Sequence, residues 1–133
     1  MNIYLDVDGV IIDKSGKPAN NIDKFLKYLA ENHTVYWLTT HCGGDSATVL
    51  SYLRGYLLPE TMKIIAKFKP TNFETLKTEA IDFSKDFRWF DDYVVLAEKD
   101  VLKKNSASEK QILIDLKNNP NIFSNFKTLI YEK

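Results

Sequence analysis

One cysteine, Cys42, occurs in 133 residues, so no disulfide can close within the chain and a disulfide-stapled scaffold is excluded. Charge of either sign is not in excess: 18 Lys+Arg balance 18 Asp+Glu, which argues against a domain built to grip nucleic acid or an acidic membrane nonspecifically. No apolar run approaches the about 18 residues that a bilayer-spanning helix requires. The opening Met1–Asp6 has no basic segment followed by a long apolar stretch, so the expected location is the cytoplasm. Two histidines, His33 and His41, are too few and too badly spaced for a zinc cage, and the default for both is the surface. Internal repeats, low-complexity tracts and long linkers are also missing. What is present is ordinary, 44% hydrophobic and 27% charged, and it describes a single folded domain over residues 1–133.

The punctuation alternates strands with helices. Residues 3–7 (IYLDV) are β-prone and nearly all apolar, as a strand buried on both faces should be. Residues 22–31 place Ile22, Phe25, Leu26 and Leu29 on one helical stripe, with Asn20 and Asn21 as N-cap candidates. A second buried strand is expected over 34–39, then a helix capped by Asp45 or Ser46 and running to about 55. Residues 62–66 (MKIIA) read as a third strand, 72–82 as a helix, 87–91 as a fourth strand and 94–104 as a helix. Residues 111–116 read as a fifth strand, and a closing helix follows Asn119-Pro120. The expected fold is therefore α/β: a three-layer sandwich around a five-stranded parallel sheet, with its ligand site beyond the carboxyl ends of the strands.

Those ends are acidic. Strand period two puts Asp6 and Asp8 on one side, and the fourth strand ends in Asp91-Asp92. At about 4 Å and an effective dielectric near 20, two carboxylates repel by roughly 4 kcal/mol. A hard divalent cation relieves that repulsion, and Mg²⁺ favours a few carboxylates with water and phosphate oxygens. Either pair taken singly is also explained as helix N-caps or solvated loop aspartates. Trp37 and Trp89 fall in predicted central strands, so packing is their default role. The segment His41-Cys42 begins like a cysteine-phosphatase loop, but Asp45 and Thr48 stand where that loop needs its glycine and its phosphate-clamping arginine.

Residues LDVDGVI resemble the first motif of the haloacid dehalogenase superfamily, a hydrophobic strand followed by D-x-D-G-[TV]. The strand closing at Thr39 resembles the second motif, Lys77 the third-motif lysine and WFDDY the acidic fourth. The matches occur in the family's order and cover roughly residues 3–92. The resemblance implies a Rossmann-like sheet in the order 5-4-1-2-3 and a Mg²⁺-dependent phosphomonoester hydrolase. Asp6 would be the nucleophile that forms an aspartyl-phosphate, and Asp8 the general acid and base. Gly9 would allow the sharp turn that follows, and Thr39 and Lys77 would contact the phosphoryl oxygens, with Thr40 on the substrate rim. Asp91 would ligate the metal together with Asp6 and the backbone carbonyl of Asp8, while Asp92 would bind through water or orient the site.

Lys69 is the alternative to Lys77, and Lys67 a solvated third. The four lysines and one glutamate between residues 61 and 77 carry a net +3, which would attract a phosphorylated substrate or simply face water. The flap at 11–21 is short, and no insertion is long enough for a separate cap domain. By analogy with cap-less members, the substrate class extends to phosphoproteins, nucleic-acid ends and phosphorylated sugars. The competing reading is a catalytically inactive phosphate-binding or interaction domain on the same fold. A receiver-like signalling domain fits D-x-D-G-V less well.

Overall fold

A computed structural model describes residues 1–132. Four short strands form one all-parallel sheet: β1 (Asn2–Leu5), β2 (Thr34–Trp37), β3 (Phe87–Asp91) and β4 (Gln111–Leu113), ordered β2-β1-β3-β4. Every residue of β1 and β3 is buried, which is what continuous apolar runs at the centre of a parallel sheet predict. Five α-helices occur among the described residues: α1 (Ile22–Asn32), α2 (Ser46–Leu53), α3 (Pro59–Ile65), α4 (Leu96–Lys104) and α5 (Phe126–Tyr131). Asp45 caps α2 by accepting from the Ala47 N–H at 2.9 Å.

The sheet divides the core. On one face Ile3, Leu5, Val35, Trp37 and Phe90 meet the α1 stripe of Ile22, Phe25, Leu26 and Leu29, together with Val49, Leu53, Ile65, Phe123 and Ile130. On the other, Tyr4, Phe87 and Trp89 pack with Leu38, Ile81, Val94 and Leu102. The alternation Ile3/Tyr4/Leu5 sends neighbours to opposite faces, as strand pleating requires. Both tryptophans are fully buried, in keeping with a packing role.

The five-stranded sheet is not formed. Residues 62–66 lie in and just beyond α3, not in a strand. Pro59 occupies the first turn with Glu60 beside it, Lys63 sits in the last turn, and buried Thr61 and Ile65 are four residues apart. Helix signals therefore outweigh a short β-branched run. Where a further strand would lie, Lys69 alone pairs with Tyr36, exchanging hydrogen bonds of 2.9 Å to Val35 O and 2.8 Å from Trp37 N. Pro70 has no N–H to extend that pairing. The order 5-4-1-2-3 is thus reduced to its first four members.

The helix expected over 72–82 is also absent apart from a 3₁₀ turn at Lys77–Ala80. The Glu79 carboxylate accepts from the N–H groups of Glu74, Thr75 and Leu76, which holds this backbone in a non-helical path. The last strand stops at Leu113, and the chain after Pro120 forms a 3₁₀ turn at Ile122–Asn125 before α5. No helix among the described residues is long and apolar enough to cross a membrane.

Phe25 is the hinge of the larger core half. It is fully buried, stacks on Phe123 at 4.5 Å and meets Phe90 edge-on at 5.2 Å. Phe25→Ala is expected to cost about 3–5 kcal/mol, read as a lowered urea midpoint at unchanged slope.

Candidate active site

Strand register assembles the site. Leu5 pairs with Phe90, and the Asp6 N–H donates to Phe90 O at 3.0 Å, so Asp6 and Asp91 fall at the same level on adjacent central strands. Both are buried. Oxygens of Asp6, Asp91 and exposed Asp92 all lie within 4.8 Å of one another. Lys77 Nζ reaches into this group, 2.7 Å from Asp91 Oδ2 and 3.4 Å from Asp6 Oδ1.

One ammonium does not offset the burial of these carboxylates. Burial raises the Asp6 pKa despite Lys77, and burial together with the Asp6 charge pushes Asp91 up to about 6. Asp92 is raised by burial and by its hydrogen bond with Asp91. Burial draws Lys77 down, but Asp6 and Asp91 together leave it above its ordinary value. The cluster therefore holds a charged lysine among carboxylates with residual negative charge to neutralise.

Lys77 is positioned by a residue the sequence reading did not single out. Buried Glu98 accepts from the Lys77 N–H at 2.8 Å and from the Val95 N–H at 3.1 Å, tying the 3₁₀ turn to the start of α4. Its bond back to the Val95 N–H is half of a capping box, but valine at the N-cap lacks the hydroxyl of that motif, so the sequence carried no signal for Glu98. Lys69 and Lys67 lie elsewhere, beside His33 and Thr34, and Lys69 Nζ sits 5.8 Å from the centre of the Tyr36 ring. The basic stretch 61–77 is therefore not one patch at the site.

Gly9 is required by shape. Its φ is +81°, and a Cβ there would collide with the Asp92 carboxylate, coming within 2.6 Å of Cγ. Buried Thr39 follows Leu38, whose N–H donates to Leu5 O at 2.7 Å, so the turn after β2 begins beside the end of β1. Thr39 Oγ1 accepts from the His41 N–H at 3.3 Å, and Thr40 is exposed. Cys42 is a buried free thiol that donates to Thr71 O at 3.3 Å.

Asp8 stands apart from the three-carboxylate group. Its side chain is half-exposed and engaged at both oxygens, by His41 Nε2 at 2.7 Å and by the Tyr52 hydroxyl at 2.8 Å. The His41 and Tyr52 rings stack at 4.0 Å, and the bond to Asp8 pushes the Tyr52 hydroxyl up to about 12. His41 is thus a neighbour of the site, not a bystander. Only tertiary structure could reveal this, because His41 and Tyr52 lie 33 and 44 residues from Asp8.

The raised Asp91 pKa has a thermodynamic sign. A carboxyl that holds its proton more tightly folded than unfolded favours the fold at low pH, and that contribution is lost as pH rises from about 4 through about 6. In chelator, Asp91→Asn is expected to raise the urea midpoint relative to the parent at pH 7.5. The gain should shrink towards pH 4, in paired denaturation curves.

No family model matches the chain, and no curated protein or solved structure matches it either.

Proposed function

We propose that the chain is a Mg²⁺-dependent phosphomonoester hydrolase of the haloacid dehalogenase type that works through an aspartyl-phosphate. The observation that carries this reading is the convergence of Asp6, Asp91 and Asp92 within 4.8 Å, with Lys77 among them, at the carboxyl ends of two central parallel strands. A structural role alone does not account for it, since burying like charges costs stability unless something neutralises them.

The donor set fits the metal. Three carboxylates offer hard oxygen ligands without histidine or thiolate, and their pKa values are raised first by burial, which Lys77 does not offset. Asp6, Asp91 and the Asp8 carbonyl would hold Mg²⁺, with Asp92 oriented beside them. When bound, the ion lowers the negative charge facing an incoming phosphate and stabilises the charge of the transferring group.

The protein's own residues then divide the work. An Asp6 oxygen attacks phosphorus, the bond to the leaving oxygen breaks, and Asp8 gives that oxygen a proton. Asp8 next takes a proton from the water that attacks the phosphoryl-Asp6, releasing phosphate and restoring the carboxylate. Lys77 balances charge on Asp6 and the phosphoryl oxygens, while the Thr39 hydroxyl donates to one of them. Gly9 lets the chain turn between the acid and the flap, and Thr40 borders the opening. The substrate is phosphorylated, and a cytoplasmic setting belongs to the same reading.

An aryl phosphate assay tests it. Turnover is expected with Mg²⁺, with at least a thousandfold loss in Asp6→Asn and loss on chelation. Turnover that survives both removes the mechanism. Metal binding without turnover of any ester would favour a phosphate-binding domain instead. Asp91→Asn should weaken Mg²⁺ binding about tenfold or more by calorimetry, whereas Lys77→Ala should chiefly lower kcat.

A further inference from the structure

Two grooves open beside the carboxylate cluster, one on each side of the flap. The first, of about 370 Å³, lies between the flap and α2 and is lined by Asp8, Asp13, Lys14, Tyr52, Tyr56 and Asp92. The second, of about 500 Å³, runs from Gly9 and Asp92 to Leu113, Leu116 and Lys117. Only the first reaches Asp8. On the hydrolase reading, on which this inference rests, the proton donor must come within hydrogen-bond reach of the leaving oxygen. The leaving group therefore enters the groove that Asp8 borders, although the other is larger.

That groove has a distinct chemistry. His41 and Tyr52 hold both Asp8 oxygens on this side, and Tyr52 in turn packs at 5.6 Å against Tyr56. Tyr56 also meets the flap, since a Cβ on Gly16 would lie 2.8 Å from its ring. Two tyrosines thus form one wall. With Asp8 carrying the proton it is to donate, the charged groups that line the groove are two carboxylates, Asp13 and Asp92, against one ammonium, Lys14. An anionic leaving group would meet net repulsion there, and a flat uncharged or cationic one would meet ring faces and favourable charge.

We infer that the substrate is a phosphomonoester whose leaving group is aromatic and either uncharged or cationic, seated against Tyr52 and Tyr56. In the reaction the P–O bond to that group breaks as the Asp6–phosphorus bond forms, and the departing oxygen takes the proton of Asp8. Water then cleaves the phosphoryl-Asp6 bond, releasing phosphate and returning a proton to Asp8.

The test uses the Mg²⁺-loaded protein and three aryl phosphates of matched leaving-group pKa, bearing no charge, a trimethylammonium or a carboxylate. The expected kcat/KM is about tenfold or more lower for the carboxylate ester than for the other two. Asp13→Asn keeps an oxygen for its turn contacts with Ser15 and Lys17 and should narrow that gap. Tyr56→Ala should lower kcat/KM for the uncharged aryl ester about fivefold more than for a small alkyl phosphate. Equal rates on all three aryl esters overturn the inference and leave the hydrolase reading standing, as does an aryl preference that answers to Lys117→Ala but not to Tyr56→Ala, since Lys117 lines only the second groove and Tyr56 only the first. No turnover of any ester overturns both.

Discussion

Two aspartates at one register level on neighbouring parallel strands repel each other, and the rest of this end of the sheet is arranged around that repulsion. Adjacent strands are about 4.8 Å apart, so the pairing of Leu5 with Phe90 leaves Asp6 and Asp91 no room to separate. At such a distance the repulsion is of the same order as the attraction Lys77 offers to either one, roughly 4 kcal/mol at an effective dielectric of 20. One cation among three carboxylates leaves a deficit, and burial keeps water from filling it. Burial first, and the Asp6 charge second, lift the Asp91 pKa to about 6, so a proton relieves the crowding only under mildly acidic conditions. A divalent cation is the answer that the proposed chemistry requires.

Holding Lys77 in that crowd needs its own scaffold. The lysine does not ride on a long helix but on a four-residue 3₁₀ turn, too short to fix a side chain by its own hydrogen bonds. Glu79 ties the three preceding residues, and Glu98 joins the turn to α4. Two carboxylates that bind no substrate on the proposed reading thus set the direction of the one ammonium that does. Glu98 is itself buried, and its two backbone donors satisfy it there.

What the sequence made legible was whatever depends on spacing within a few residues. Strand period placed Asp6 and Asp91 at strand ends, the α1 stripe was visible in Phe25, Leu26 and Leu29, and Asp45 was readable as a cap. The reading failed where short apolar runs fit both periods: Met62–Ala66 has the composition of a strand, but Pro59 and the burial of Thr61 and Ile65 make it a helix. It failed again at 72–82, where Glu79 turns back onto its own backbone. The Asp8–His41–Tyr52 arrangement was out of reach in principle, because three residues far apart in the chain meet only when β1, β2 and α2 pack. The expected metal group drew on Asp8 only through its backbone carbonyl, so the partners of its side chain oxygens, His41 and Tyr52, fell outside that reading.

The missing fifth strand leaves the site intact for a geometric reason. The carboxylates lie on β1 and β3, the two central strands, and Thr39 follows β2, so a strand outside β2 would touch none of them. What β2 does need on its outer side is cover for its backbone groups. Lys69 supplies two hydrogen bonds there and Pro70 ends the pairing. The next residues return the chain across the top of the sheet, where Thr71 O takes the Cys42 thiol and the Gly44 N–H at 3.0 Å. The segment that fails to become a strand instead braces the loop between Thr39 and α2, and with it the backbone that carries His41 to Asp8. Edge protection and site support are served by the same few residues, which is how so short a chain can dispense with the strand.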